Sequence, residues 1–176
     1  MRSLRARVIG MGEQTHGTSE FGRMKQRLIQ HGVLTQHVTV LGWENGPAPT
    51  VAINLYVHGS DANLDSLMRA MSRLWQTGEV KAVFTWLRGY NESQRSAGRT
   101  QVDVVGIDVM PGPARDSGMA ETIAAEIGKR PGGERALFWA HNVHVAYASD
   151  RIGVQLRRIL GRRYVAVGFA TANGGT

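Results

Sequence analysis

Glu13 and His16 stand three residues apart in Gly12-Glu13-Gln14-Thr15-His16-Gly17, a carboxylate and an imidazole held in a glycine-flanked turn. Histidine takes and returns protons near neutral pH, and a carboxylate beside it orients the ring and stabilises the imidazolium. His141-Asn142-Val143-His144 offers two more imidazoles at the same spacing, while Glu44 and Asp108 add carboxylates. The chain has no cysteine, no Gly-x-Ser-x-Gly and no Ser-x-x-Lys, so the usual protein nucleophiles are missing. Water activated by a base is the economical chemistry. His16 is the expected base, with Glu13 or Glu44 orienting it. His141 and His144 are then expected to polarise a carbonyl or stabilise an oxyanion.

A metal offers a rival chemistry. Glu13, His16, His141 and His144 could ligate one zinc or manganese ion, whereas the first reading needs no cofactor. A di-iron arrangement requires the carboxylate-x-x-histidine pair on a helix, and Gly10, Gly12 and Gly17 argue against one there. Nucleotide binding at Gly10-x-Gly12 is disfavoured, because Thr15 replaces the third glycine and Glu13 would repel a pyrophosphate.

Elements of alternating type must position these groups. The apolar runs Val8–Met11, Val38–Trp43, Val102–Ile107, Ala136–Ala140 and Tyr164–Phe169 read as strands. Between them lie amphipathic helices: one from Thr18 or Ser19 to a close at His31-Gly32, then Leu64–Trp75, Thr77–Tyr90, one opening at Arg115-Asp116, and one carrying Ile152, Leu156, Ile159 and Leu160. Residues 49–63 fit strand or helix, and 91–99 read as a polar loop. The expected fold is a single α/β domain over 1–176, in three layers, with a mostly parallel sheet of about five strands covered by helices on both faces. Ligands of such sheets bind beyond the carboxyl ends of the strands, where Glu13, Glu44, Asp108 and His141 fall. Glu13 and Glu44 are expected at neighbouring strand ends; His31, His37 and His58 are expected at solvent-exposed loops or helix ends.

Composition supports a globular chain. Its 176 residues are 42% hydrophobic and 20% charged, enough for one core. No apolar run approaches the roughly 20 residues that span a bilayer, and the first residues lack a secretory h-region. The expectation is a cytoplasmic protein with no membrane partner. The net charge of +7 comes from 21 basic residues, of which three are lysine, and the arginines are spread without interleaved aromatics. Nucleic acid is therefore not the expected partner.

The motifs together resemble the erythromycin esterase-like hydrolases. They are Gly12-Glu13-Gln14-Thr15-His16-Gly17-Thr18-Ser19-Glu20, Trp86-Leu87-Arg88-Gly89-Tyr90-Asn91, Gly106-Ile107-Asp108, Arg115-Asp116-Ser117-Gly118-Met119-Ala120 and Trp139-Ala140-His141-Asn142-Val143-His144. Gly153-x-x-Leu156 and Leu160-Gly161-x-x-Tyr164 follow in the same order. The resemblance implies hydrolysis of a small-molecule ester or lactone, a macrolide-esterase activity of the kind that confers antibiotic resistance. It implies that His16 is the base, with Glu13, Glu44, His141 and His144 lining one cleft and Lys25 a basic residue facing it. From the residues alone, Lys25 reads equally well as a helix-surface lysine. Lys25 and Asp108 are the expected substrate-binding residues. Members are longer, with a helical segment between the counterparts of Asp108 and Arg115 and further helices beyond Phe169. Three expectations follow: a trimmed enzyme with an open cleft, an incomplete gene product, or one part of an assembly in which a second copy or partner chain covers the cleft.

Overall fold

A computed structural model describes residues 6–171. The elements run β1 (Val8–Glu13), α1 (Ser19–Thr35), β2 (Val38–Trp43), α2 (Pro47–Val57), α3 (Leu64–Ala70), α4 (Gly78–Ser96), β3 (Asp103–Gly106), α5 (Arg115–Gly128), β4 (Arg135–His141), α6 (Asn142–Val145), α7 (Ile152–Leu160) and β5 (Tyr164–Phe169). The five strands pair in parallel in the order β3-β2-β4-β1-β5. This is the expected three-layer α/β architecture.

Alternation along the strands divides the core in two. Met11, Leu41, Trp43, Leu137 and Trp139 face one side and pack against Ile29 and Val33 of α1, Ile53 of α2, Met68 of α3, and Val83, Phe84 and Leu87 of α4. Val8, Val40, Ala136, Phe138 and Tyr164 face the other and pack against Met119, Ile123 and Ile127 of α5, with Ile152 and Leu156 of α7. The helices that follow β1 and β2 thus cover one face, and α5 and α7, which follow β3 and β4, cover the opposite one. Because β4 lies between β1 and β2, a crevice opens on each side of its carboxyl end.

The strand order corrects one expectation. Glu13 and Glu44 do not end neighbouring strands, because β4 is inserted between β1 and β2, with Glu13 paired to His141 in register. Sequential proximity favours adjacent pairing but does not impose it.

Helix limits are corrected too. α1 continues through Gly32 to Thr35, since Gly32 is a packing residue whose missing side chain lets the helix approach Leu137 and Val38. Residues 47–57 are helical, Pro47 occupying the first turn, where its missing N–H costs nothing. The helix from Leu64 stops at Ala70, and a single 3-10 turn follows at Arg73–Trp75. α4 runs on to Ser96, so the polar stretch after Tyr90 is helix, not loop. Asn91 within it is fully buried, donating to the carbonyls of Val57 and Val102 and accepting from the Val102 N–H. A polar side chain that satisfies buried backbone groups looks like a loop residue in sequence.

Among the described residues no helix is long and apolar enough to cross a membrane. His31 and His37 are exposed as expected. His58 is half-buried and paired to Asp103 at 2.8 Å.

Candidate active site at the strand ends

β1 delivers Glu13 at its last position, and the chain then turns through Gln14–Gly17. Gly17 has φ of +81°, a conformation that favours glycine. The turn folds His16 back so that its Nδ1 lies 2.7 Å from Glu13 Oε1. His16 Nδ1–H therefore donates to the carboxylate, and Nε2 has no hydrogen-bond partner among the described residues. Beneath the pair, Lys25 of α1 reaches Glu13 Oε2 at 3.1 Å with its side chain fully buried, and lies 4.6 Å from the centre of the Trp139 ring. Trp75 walls His16 edge-on at 5.0 Å between ring centres.

Electrostatics follow the geometry. Burial alone would raise Glu13, but the His16 hydrogen bond and the Lys25 charge hold it below its ordinary value. Burial lowers Lys25 to about 8, Glu13 and then Glu44 pulling it partly back. Lys25 is thus neither a surface lysine nor positioned to touch a substrate. It faces the site from below, through Glu13.

The second group gathers on the other side of β4. Glu44, just past β2, accepts the His141 backbone N–H at 2.9 Å through Oε2, and its Oε1 lies 3.0 Å from Arg115 Nη2 and 3.3 Å from His144 Nε2. Arg115 also grips Asp108 through two bonds of 2.8 Å. His144 Nδ1 faces both oxygens of Asp116 at 3.0 Å. Burial would raise Glu44, but the His144 hydrogen bond and charge, the His141 N–H and Arg115 bring it to about 2. Burial would lower His144, and the bonds to Glu44 and Asp116 reverse this and raise it. The Asp108 bonds raise Arg115, so it stays charged.

Several expected roles change here. Glu44 does not orient His16, because its carboxylate oxygens are bound to Arg115, His141 and His144. Asp108 is spent on Arg115 and is not free for a substrate. His141 lies 5.3 Å from His16 between ring centres, yet its Nε2–H donates to the Gln14 carbonyl at 2.7 Å and its Nδ1 accepts the Val143 N–H. That pattern leaves no donor for an oxyanion. The two donors of His144 are likewise turned to Asp116 and Glu44. Arg115, Asp116 and Trp75 are site residues that the sequence does not mark as such. Arg115-Asp116 was visible as a helix start, but only the packing of α5 against the β2 and β4 ends shows what it grips.

A metal fits poorly. Among the described residues no group of three or more histidine, aspartate or glutamate side chains is arranged to hold an ion. Glu13, His16, His141 and His144 do not converge, because both ring nitrogens of His141 are bound to backbone and His144 lies on the far side of Glu44. The space beside Glu13, lined by Gly17, Thr18, Trp75, Val80 and Trp139, measures only about 10 Å³. A wider groove of about 350 Å³ borders Arg115, Asp116, His144 and Arg151. A cavity of about 670 Å³ at His37, Tyr90, Arg99 and Glu134 lies at the opposite end of the sheet, away from this chemistry.

Fold and site together describe a parallel α/β protein with its polar cluster at the carboxyl edge of the sheet, where ligands of this class bind. The chain belongs to the erythromycin esterase family, whose sequence model matches residues 35–114 and 110–176. It is 29% identical over 103 residues to an erythromycin esterase type II of Escherichia coli, an alignment covering 58% of this chain and 23% of that protein. Among solved structures it resembles a Bacillus cereus protein (TM-score 0.78, 17% identity, 93% of this chain and 65% of the other). It also resembles a succinoglycan biosynthesis protein (0.77, 16%, 93% and 66%) and a mutant of the erythromycin esterase EreC in its open conformation (0.70, 14%, 93% and 70%). The chain therefore spans about a quarter of the curated esterase and about two thirds of these solved chains.

Proposed function

We propose that this protein hydrolyses a carboxylic ester or lactone by general-base activation of water at His16. The observation that carries this reading is the Glu13–His16 pair, in which the carboxylate accepts the Nδ1–H hydrogen bond and leaves Nε2 open. Nε2 removes a proton from water as the water oxygen attacks the carbonyl carbon. Glu13, its charge balanced by Lys25, stabilises the imidazolium formed. Collapse of the tetrahedral intermediate breaks the ester C–O bond, and His16 returns its proton to the leaving alkoxide. An acid and an alcohol result, or a hydroxy acid from a lactone.

A panel of small esters and lactones, with erythromycin included, tests the reading. His16→Ala is expected to lower kcat/KM by about 10²–10⁴-fold, the usual contribution of a positioned base, while the protein stays folded. Hydrolysis by His16→Ala at the parent rate would overturn it. Activity is expected to survive a chelator, since the imidazoles and carboxylates do not gather around one point; loss on chelation with recovery in zinc or manganese would transfer the chemistry to a metal. Binding of panel compounds without turnover would make the protein a binding module.

A further inference from the structure

We propose that Asp116 is a positioning residue that fixes the tautomer and charge of His144, and so the hydrogen bond His144 presents to Glu44. The inference rests on the site described above but concerns a residue that the hydrolytic reading leaves without a role.

Asp116 sits in the first turn of α5, where the helix dipole favours an anion, and is 7% exposed. It has three polar neighbours. Both carboxylate oxygens lie 3.0 Å from His144 Nδ1, and Oδ2 also accepts the Ile152 N–H at 3.1 Å. Arg151 approaches Oδ1 at 3.9 Å from a more exposed position. Ile152 opens α7, whose Arg151 cap supplies no side-chain bond, so Asp116 satisfies a helix-end donor from outside that helix. One carboxylate thus ties α5, α6 and α7 together around the imidazole.

A carboxylate only accepts, so Nδ1 must carry a proton whatever the state of Nε2. On the other edge, Nε2 lies 3.3 Å from Glu44 Oε1 and 3.1 Å from Arg115 Nη1. With both nitrogens protonated, Nε2–H donates to Glu44. With Nε2 bare, it accepts from Arg115 instead. Glu44, Asp116, Arg115 and, at longer range, Asp108 and Arg151 are the charged groups facing this ring. Two carboxylates against it favour the imidazolium. Without the Asp116 charge, the neighbouring Arg115 favours the neutral ring.

The discriminating variant is Asp116→Asn. The Ile152 N–H can only donate, so the asparagine oxygen must turn to it and the amide NH₂ to His144 Nδ1. The variant keeps the shape and the α7 bond but presents a donor where the ring needs an acceptor. In protein carrying ¹⁵N-labelled histidine, long-range nitrogen–proton spectra read each ring's protonation, and His144→Gln identifies the His144 signals. In the parent, Nδ1 of His144 is expected to carry a proton across the neutral range. In Asp116→Asn, His144 is expected to become neutral with the proton on Nε2, its titration midpoint lowered. A parent spectrum with bare Nδ1, or an identical titration in Asp116→Asn, would overturn the proposal, and the parent spectrum decides even if the variant fails to fold. Where an ester is turned over, kcat is expected to fall about 10–100-fold in Asp116→Asn, as for lost partners of ligating or reacting histidines, with KM little changed and recovery in Asp116→Glu. Unaltered kcat there would also count against the proposal. Failure of every ester tested would defeat the hydrolytic reading and leave the ring measurement intact.

Discussion

Lys25 Nζ lies 3.1 Å from Glu13 Oε2, and both side chains are shut away from water. The pair sits under His16, which bonds the other oxygen of the same carboxylate, so the charge of Lys25 is coupled to that imidazole.

Removing the ammonium leaves the Glu13 carboxylate buried without its cationic partner. Breaking a buried pair from one side costs about 3–5 kcal/mol. Lys25→Met is expected to lose that much at pH 7.5, read as a shift in the urea midpoint. Without Lys25 the pKa of Glu13 rises, so the loss should shrink toward pH 4.5 as the acid takes up a proton. A variant equally destabilised at both pH values would contradict the pairing.

The proton on Lys25 sets an alkaline limit. Its pKa is lowered to about 8, so above that pH the Glu13–His16 dyad loses its counter-charge. The rate of ester hydrolysis is expected to decline through pH 8 in the parent. In Lys25→Met the remaining activity should show no such limb. Measuring kcat/KM from pH 6 to 10 in both proteins checks this.

Glu44 and His144 bound a stability plateau from opposite sides. Glu44 is depressed from 4.5 to about 2, so its contribution is complete above 4.5 and disappears as pH falls toward 2; the shift corresponds to something on the order of 3 kcal/mol. His144 is raised above 6.5, so its contribution is complete below 6.5 and disappears as pH rises through the folded-state value. Unfolding free energy should therefore be greatest between about pH 4.5 and 6.5 for this pair. Glu44→Gln is expected to flatten both flanks in urea titrations.

Gly12 and Gly89 should respond oppositely to alanine. A Cβ on Gly12 would come within 2.3 Å of Asn142 Oδ1, 2.4 Å of Val145 Cγ2 and 2.9 Å of the Asn142 Cα, because α6 rests directly on β1. Such crowding typically costs about 1–3 kcal/mol. Gly89 has open space around it in the middle of α4, and alanine there should add about 1 kcal/mol through helix propensity. Thermal midpoints moving in the same direction would refute this account of the two positions.

Much of this arrangement can be read from one-dimensional patterns. Val8–Met11 and Ala136–Ala140 announce buried strands by apolarity alone, and Glu13-x-x-His16 between glycines announces a turn with chemistry. Strand order is different, because it depends on how helices pack over the sheet, and so the partners of Glu44 were hidden. Lys25 was ambiguous because burial of a lysine depends on an acid twelve positions earlier, not on its own helix. Asp116 was hidden for the opposite reason. An acid near a helix start is so common that its pattern says nothing about the histidine it meets.

The placement of β4 has a consequence for how the molecule is made. During synthesis β1, β2 and β3 emerge first, and β1 and β2 cannot pair directly without occupying the place of the strand that comes nearly a hundred residues after β2. Pairings so distant along the polypeptide carry a heavy loop-closure cost and slow the search for the native state. Until residues 135–141 slot in, nothing joins the strand that carries Glu13 to the strand that leads into Glu44, so the two halves of the polar cluster come together only when β4 is in place.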